Sequence, residues 1–108
     1  MSIEALAAEV EADARTLRAA SVYDAPYFAG LADFSADAMA LSTSLREAGL
    51  TDDLPCIFRG ISEDAHVRAA EIQSAEGAAR AMAVSGLNAL LDDAILLAPM
   101  AAEAASAE

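Results

Sequence analysis

The chain has 108 residues and a net charge of −12, because 18 acidic residues face six arginines and no lysine. This charge argues against nucleic acid and anionic membranes as partners, since both are negatively charged themselves. Without lysine, the chain cannot form a P-loop, a Schiff-base enzyme or the usual pyridoxal phosphate site.

Alanine occurs 30 times, and hydrophobic residues make up 56% of the chain. Alanine favours helix more than any other residue, because a helix costs its side chain no entropy. No stretch of useful length alternates apolar and polar residues as a half-buried strand would. We therefore predict an all-α fold, with one helical-bundle domain over residues 1–100 and a frayed tail over residues 101–108.

Two helices are predicted in the first half of the chain. The first is capped by Ser2 and ends between Ala20 and Val22. The second is capped by Asp24 and has Pro26 in its first turn, where a missing N–H is tolerated. The apolar stripes that we expect to be buried are Ile3, Leu6, Val10 and Leu17 in the first helix and Tyr27, Leu31, Phe34, Ala38, Leu41 and Leu45 in the second.

A short helix is predicted to follow. Gly49 is placed to end the second helix in the left-handed conformation, and Leu50 is placed to fold back as an apolar contact. Residues 51–55 form the next start signal, and a short helix from there would end at Arg59, before Gly60. It would bury Leu54, Ile57 and Phe58.

The last helix is predicted to begin at Ser62 and to continue to Ala98, where Pro99 would stop or kink it. A helix of about 37 residues would be about 55 Å long. A kink near Ser74 or Gly77 is the alternative to one unbroken helix.

Small residues recur along this last helix at spacings of three and four. The ridge consists of Ala70, Ser74, Gly77, Ala81 and Ser85. We expect it to let a neighbouring helix approach closely, which would explain a glycine inside a helix. Glu76 and Arg80 are predicted to form an ion pair one turn apart.

The stretch from residue 82 to residue 98 is apolar around most of its circumference. In an antiparallel bundle of three long helices and one short helix, the neighbours would be too short to cover it. We expect Leu87, Leu91 and Ile95 to be incompletely enclosed in one subunit, so that a homodimer completes the bundle.

The same stretch is the chain's one candidate for a membrane span. It is 17 residues long, the short limit for a span, and it contains Asp92 and Asp93. Each acid near the middle of a membrane costs about 2.5–3.5 kcal/mol. The acidic N-terminus also differs from a signal peptide. We therefore expect a cytoplasmic protein that does not insert into membranes.

The spacing Glu63-x-x-His66 is the clearest candidate for a metal site. Residues three apart on a helix point the same way, so a carboxylate and an imidazole can bind one ion. In this motif and in its short, acidic, helical build the chain resembles small encapsulated ferritin-like proteins. The resemblance implies iron or another divalent transition metal, held by one half-site per chain and completed in a dimer. The alternative is that Glu63 and His66 form a solvated first turn.

No other set of residues predicts catalysis. Cys56 is the only cysteine, which excludes an internal disulfide, and its apolar neighbours predict that it is buried. Carboxylates from different helices could pair, but spacing along one chain does not identify such pairs. We expect a non-enzymatic bundle that acts through protein–protein contacts, as an adaptor, chaperone or regulatory module. The ferritin-like metal site is the alternative.

Overall fold

The computed structural model describes residues 1–50 and 53–107, and within these ranges all regular structure is helical. The helices are α1 (Ile3–Ala19), α2 (Ala25–Glu47), α3 (Leu54–Ser74) and α4 (Gly77–Ser106). The predicted all-α class is therefore confirmed.

The two predicted N-caps of α1 and α2 are confirmed. The Ser2 hydroxyl accepts a hydrogen bond from the Ala5 N–H at 3.1 Å, and the Asp24 carboxylate accepts one from the Tyr27 N–H at the same distance. Each bond satisfies one of the N–H groups that a helix start leaves without a partner. Both helices bury the apolar stripes predicted for them, except that Ile3 is only partly covered.

The predicted end of α2 is also confirmed. Gly49 has a φ of +80°, and its N–H donates to the Arg46 carbonyl at 3.0 Å. The Leu50 N–H donates to the Leu45 carbonyl at 3.0 Å, and the Leu50 side chain packs against the core. This is the Schellman arrangement, in which two carbonyls of the last turn regain hydrogen-bond donors.

The predicted division into a short helix and a 37-residue helix is wrong. The chain continues through Gly60 without a break, and α3 has 21 residues. The reason is an apolar stripe that has members before and after Gly60, at spacings of four and three. Because these members all pack in the core, the chain stays helical through the glycine. The members of the stripe are Leu54, Phe58, Ile61 and Ala65. Of the start signal, Thr51 and Asp52 lie outside the described residues.

The break between α3 and α4 lies instead at Ala75 and Glu76. Both residues have extended backbone angles, and Gly77 follows with a φ of +59°. An L-residue is strained at that angle, whereas glycine is not. The kink considered as an alternative is thus a full interruption of the helix.

Pro99 does not stop α4. The frayed tail over residues 101–108 stays a prediction. The helix continues to Ser106. Proline removes one backbone hydrogen bond, but Ala98 and Ala101 on either side are fully buried. Packing therefore holds the helix together across the proline.

The four helices pack in a ring, in which α1 contacts α2 and α4, and α3 contacts α2 and α4. The molecule measures 47 × 20 × 18 Å along its principal axes. Helix α4 has 30 residues and spans about 45 Å, which is almost the full length. One continuous core fills the space between the helices. Its largest fully buried side chains are Phe34, Phe58, Leu31, Leu41, Leu45, Ile72, Leu87, Leu91 and Val10.

Candidate interaction surface on helix α4

The inner face of α4 is better covered than the sequence suggested. Leu87 and Leu91 are fully buried within one subunit, so the expectation that they would be incompletely enclosed is wrong. Ile95 is only partly buried. Residues 62–74 were predicted to be part of the last helix, but they belong to α3, which packs against α4. Helix α3 is therefore longer than predicted, and α4 begins later.

The outer face of α4 is where the uncovered apolar surface lies. Met82 is 75% exposed, Leu96 is 68% exposed and Met100 is 50% exposed. The outward positions follow one another at spacings of four, three, four, three and four, as on one side of a helix. We refer to them as the outer stripe: Met82, Gly86, Ala89, Asp93, Leu96 and Met100, all exposed.

By length and composition alone, α4 could also cross a membrane. Only 28% of its most apolar 18-residue stretch is buried inside the bundle. The outer stripe belongs to this helix and adds to its uncovered apolar surface. Asp93 lies in the middle of that stripe.

A groove runs between α3 and α4 along one side of the outer stripe. Its volume is about 340 Å³, and its lining includes Asp64, Arg68 and Asp93. A Cβ built on Gly86 would lie 3.3 Å from the Arg68 Nε atom, so the glycine makes room for the arginine side chain. Arg68 also donates to Glu71 at 2.6 Å.

A second groove, of about 400 Å³, separates α1 from α4 on the other side. Arg18 and Asp92 bridge it with an ion pair of 2.9 Å. Both side chains are about half exposed, so water screens the pair and its contribution to stability is small. The outer stripe is therefore bordered by one arginine on each side.

The predicted ridge of small residues is wrong. All five members are exposed, and the break at Ala75 divides them between two helices. Arg80 was predicted to form an ion pair with Glu76, but this pair does not occur within the described part of the chain. Its guanidinium lies 6.0 Å from the centre of the Tyr23 ring, within the range of a cation–π contact.

Glu63 and His66 are both exposed on α3. The Glu63 carboxylate accepts a hydrogen bond from the Arg59 Nε at 2.8 Å. Across residues 1–50 and 53–107, no three His, Cys, Asp or Glu side chains come together as a metal site would require. A half-site completed by a second subunit is not tested by one chain and stays a prediction.

Cys56 is exposed, so the prediction that it is buried is wrong. Its neighbours Leu54 and Pro55 are buried in the first turn of α3, and the next residue along the helix points away from them. Sequence neighbours on a helix face different directions, and an apolar setting in the sequence does not imply an apolar setting in space.

Two carboxylates from neighbouring helices meet at the α1–α2 contact. Asp13 is half-buried, and its carboxyl group can share a hydrogen bond with that of Asp37 when one of the two is protonated. Burial, and then the hydrogen bond to Asp37 and the charge on it, raise the pKa of Asp13 to about 6. Glu9 and Asp33 also line the open cavity of about 560 Å³ beside them. The position of Asp13 between Val10 and Leu17 on the α1 stripe was the only sequence signal of this pair.

Buried serines form polar contacts that the sequence did not indicate. The Ser62 hydroxyl donates to the Ser35 carbonyl at 2.7 Å, and the Ser35 hydroxyl donates to the Ser62 carbonyl at 2.8 Å. The Ser42 hydroxyl donates to the Pro55 carbonyl at 2.6 Å. Ser62 thus lies inside α3 and joins it to α2, so the prediction that the last helix begins at Ser62 is wrong.

A smaller cavity of about 320 Å³ lies where α1 ends and α2 begins, and Tyr27 lines it. Burial raises the pKa of the Tyr27 hydroxyl to about 12. This hydroxyl has no hydrogen-bond partner among the described residues, yet it is shielded from solvent and therefore does not open into the cavity. Its lining combines apolar side chains, such as Leu17 and Val22, with the polar side chains of Asp13, Thr16 and Asp24.

No family model, curated protein or solved structure matches this chain. The function has to be argued from the chain's own surfaces. Among the described residues, only acids and alanines line the cavity beside the acid pair, and Glu63 is engaged with Arg59. The outer stripe is the feature with the largest exposed apolar side chains, and such surfaces mark interaction sites.

Proposed function

We propose that this protein is a non-enzymatic, antiparallel helical bundle that acts through protein–protein contacts and forms a homodimer through the outer stripe of α4. The observation that carries the proposal is the exposure of Met82, Leu96 and Met100 on one side of a single helix. Methionine suits such a contact, because its unbranched side chain adapts to irregular surfaces. An adaptor, a chaperone and a regulatory module would all use a surface of this kind.

The exposed area favours a weak dimer. A fully buried large apolar side chain contributes about 2 kcal/mol, so covering the exposed parts of these three would contribute about 4 kcal/mol per chain. Association costs about 4–15 kcal/mol in lost motion. The gain from two chains is comparable to that cost, so we expect a dimer that forms and dissociates with concentration.

The alternative function, a ferritin-like metal site, fits this dimer poorly. His66 lies two residues before Arg68, which is about 200° around α3. Since Arg68 faces the groove against α4, His66 faces away from it. A dimer formed through α4 would keep the Glu63/His66 pairs of the two subunits apart.

Sedimentation velocity across the micromolar range tests the proposal. The wild-type chain should shift from monomer to dimer as concentration rises, and Leu96→Glu should remain monomeric because a charge would then be buried in the contact. Val67→Glu is the matched control, since Val67 is 51% exposed on α3. It should behave as the wild type does. A compact wild-type monomer at every concentration would contradict the proposal.

A further inference from the structure

We infer that the outer stripe pairs with its own copy in antiparallel orientation, about a two-fold axis level with residue 91. This inference rests on the proposed dimer and specifies its partner and register. Met82 then faces Met100 of the partner subunit, Gly86 faces Leu96 of the partner subunit, and Ala89 faces Asp93 of the partner subunit.

The spacing of the outer stripe permits this register. Its intervals of four, three, four, three and four read the same from either end, so a reversed copy aligns every position with another position of the stripe. An isologous contact requires such self-complementarity.

Parallel pairing in register lacks this complementarity. Each residue would then face itself, so that Asp93 would face Asp93. Like charges placed directly opposite each other repel. In the antiparallel register the two Asp93 carboxylates are displaced from each other along the helix axis.

Charge complementarity supports the same register. The Arg68 side chain lies beside Gly86, in the groove between α3 and α4. A two-fold axis across the helices keeps the α3 sides of both subunits on the same side of the contact. Arg68 therefore lies level with residue 96 of the partner subunit, about 4.5 Å along the axis from Asp93 there. Each Arg68 thus has a carboxylate of the other subunit within about one helical turn.

A lipid surface is the competing occupant of the outer stripe. It would leave Asp93 against the apolar part of the membrane without a cation of a second subunit beside it. A second copy supplies both an apolar surface and an arginine, so the observations favour the copy.

Disulfide trapping tests the register. Cys56 is exposed and would react, so every variant carries Cys56→Ser. Met82→Cys and Met100→Cys chains are oxidised separately and as a mixture, then separated on a non-reducing gel. The mixture should form a covalent dimer and each single variant should not, because equal positions lie about 27 Å apart along the antiparallel helices. A mixture of Met82→Cys and Val67→Cys chains is the control and should not cross-link.

The possible failures are distinguishable. Cross-linking of Met82→Cys with itself would overturn the antiparallel register in favour of a parallel one. A concentration-dependent dimer in sedimentation without the mixed cross-link would overturn the register while leaving the proposed function intact. A monomer that floats with phosphatidylcholine vesicles would overturn both and assign the stripe to lipid.

Charge exchange gives a second, independent test. Arg68→Glu and Asp93→Arg should each weaken dimerisation several-fold, and the double variant should restore most of the loss, because the pair across the contact is re-formed with its signs reversed. Val67→Glu serves again as the control for added charge on α3. Single variants with unchanged affinity would contradict the predicted proximity of Arg68 and Asp93.

Discussion

Asp13 carries the clearest pH dependence at the scale of single residues. Its pKa is raised from the ordinary 3.8 to about 6 in the folded chain, by burial first and then by Asp37. The folded state therefore binds this proton more tightly than the unfolded state. The stabilising contribution is complete below about pH 4 and is lost as the pH rises through about 6.

The substitution Asp13→Asn should remove this part of the pH dependence. At neutral pH we expect it to raise the free energy of unfolding by about 1 kcal/mol or less, because Asp13 is partly solvated and water screens its repulsion from Asp37. Urea unfolding at several pH values measures the effect. Glu47→Gln, an exposed change of the same kind at the end of α2, is the control. A variant with the wild-type pH profile would contradict the assignment to Asp13.

Ser42 is a second residue with a measurable contribution. Its buried hydroxyl donates to the Pro55 carbonyl at 2.6 Å and ties the end of α2 to the start of α3. Ser42→Ala should lower the free energy of unfolding by about 1 kcal/mol, the usual effect of losing a buried hydrogen bond. Thr43 is exposed, so Thr43→Ala should change the free energy of unfolding by less than about 0.5 kcal/mol. Equal effects in urea unfolding would show that the hydrogen bond contributes little.

At the scale of helices, sequence signals succeeded where they were local. Ser2, Asp24 and Gly49 act on backbone groups within a few residues, so their roles follow from the sequence. Gly60 and Pro99 predicted breaks that do not occur, because buried neighbours on both sides hold the helix in place. A break at Gly60 or Pro99 would satisfy a local preference of about 1–3 kcal/mol. It would also remove several side chains from the core, which costs more, so the helix continues.

The candidate surface was predictable only in part. The sequence showed that residues 82–98 are apolar around most of the helix, but not which side the bundle would cover. That depends on contacts with α1 and α3, which are distant in sequence. Leu87 and Leu96 look alike in the sequence, yet one is fully buried and the other is 68% exposed. The pairing of Asp13 with Asp37 depends on the same kind of long-range information.

Two glycine substitutions test where the helices divide. Gly77 has a φ of +59°, so Gly77→Ala should lower the free energy of unfolding by about 1 kcal/mol. Gly60 lies inside α3, and an added Cβ would meet no atom within 4 Å, so Gly60→Ala should raise it by up to about 1 kcal/mol. Thermal and urea unfolding measure both. Stabilisation by Gly77→Ala would indicate that α3 and α4 form one continuous helix.

At the scale of the whole molecule, shape and charge determine how the proposed dimer responds to salt. Each chain carries a charge of −12 on a rod about 20 Å wide. The Debye length is about 30 Å at 0.01 M salt, which exceeds that width, and about 10 Å at 0.1 M. At low salt the charges of both subunits therefore repel across the whole contact, whereas at higher salt only nearby groups interact.

This repulsion involves many more charges than the two Arg68–Asp93 pairs, so added salt should strengthen dimerisation up to about 0.1 M. Sedimentation equilibrium at several sodium chloride concentrations measures the change, with sucrose of equal osmolality as the control. A dimer that weakens steadily with salt would mean that ion pairs, and not the apolar stripe, supply most of its stability.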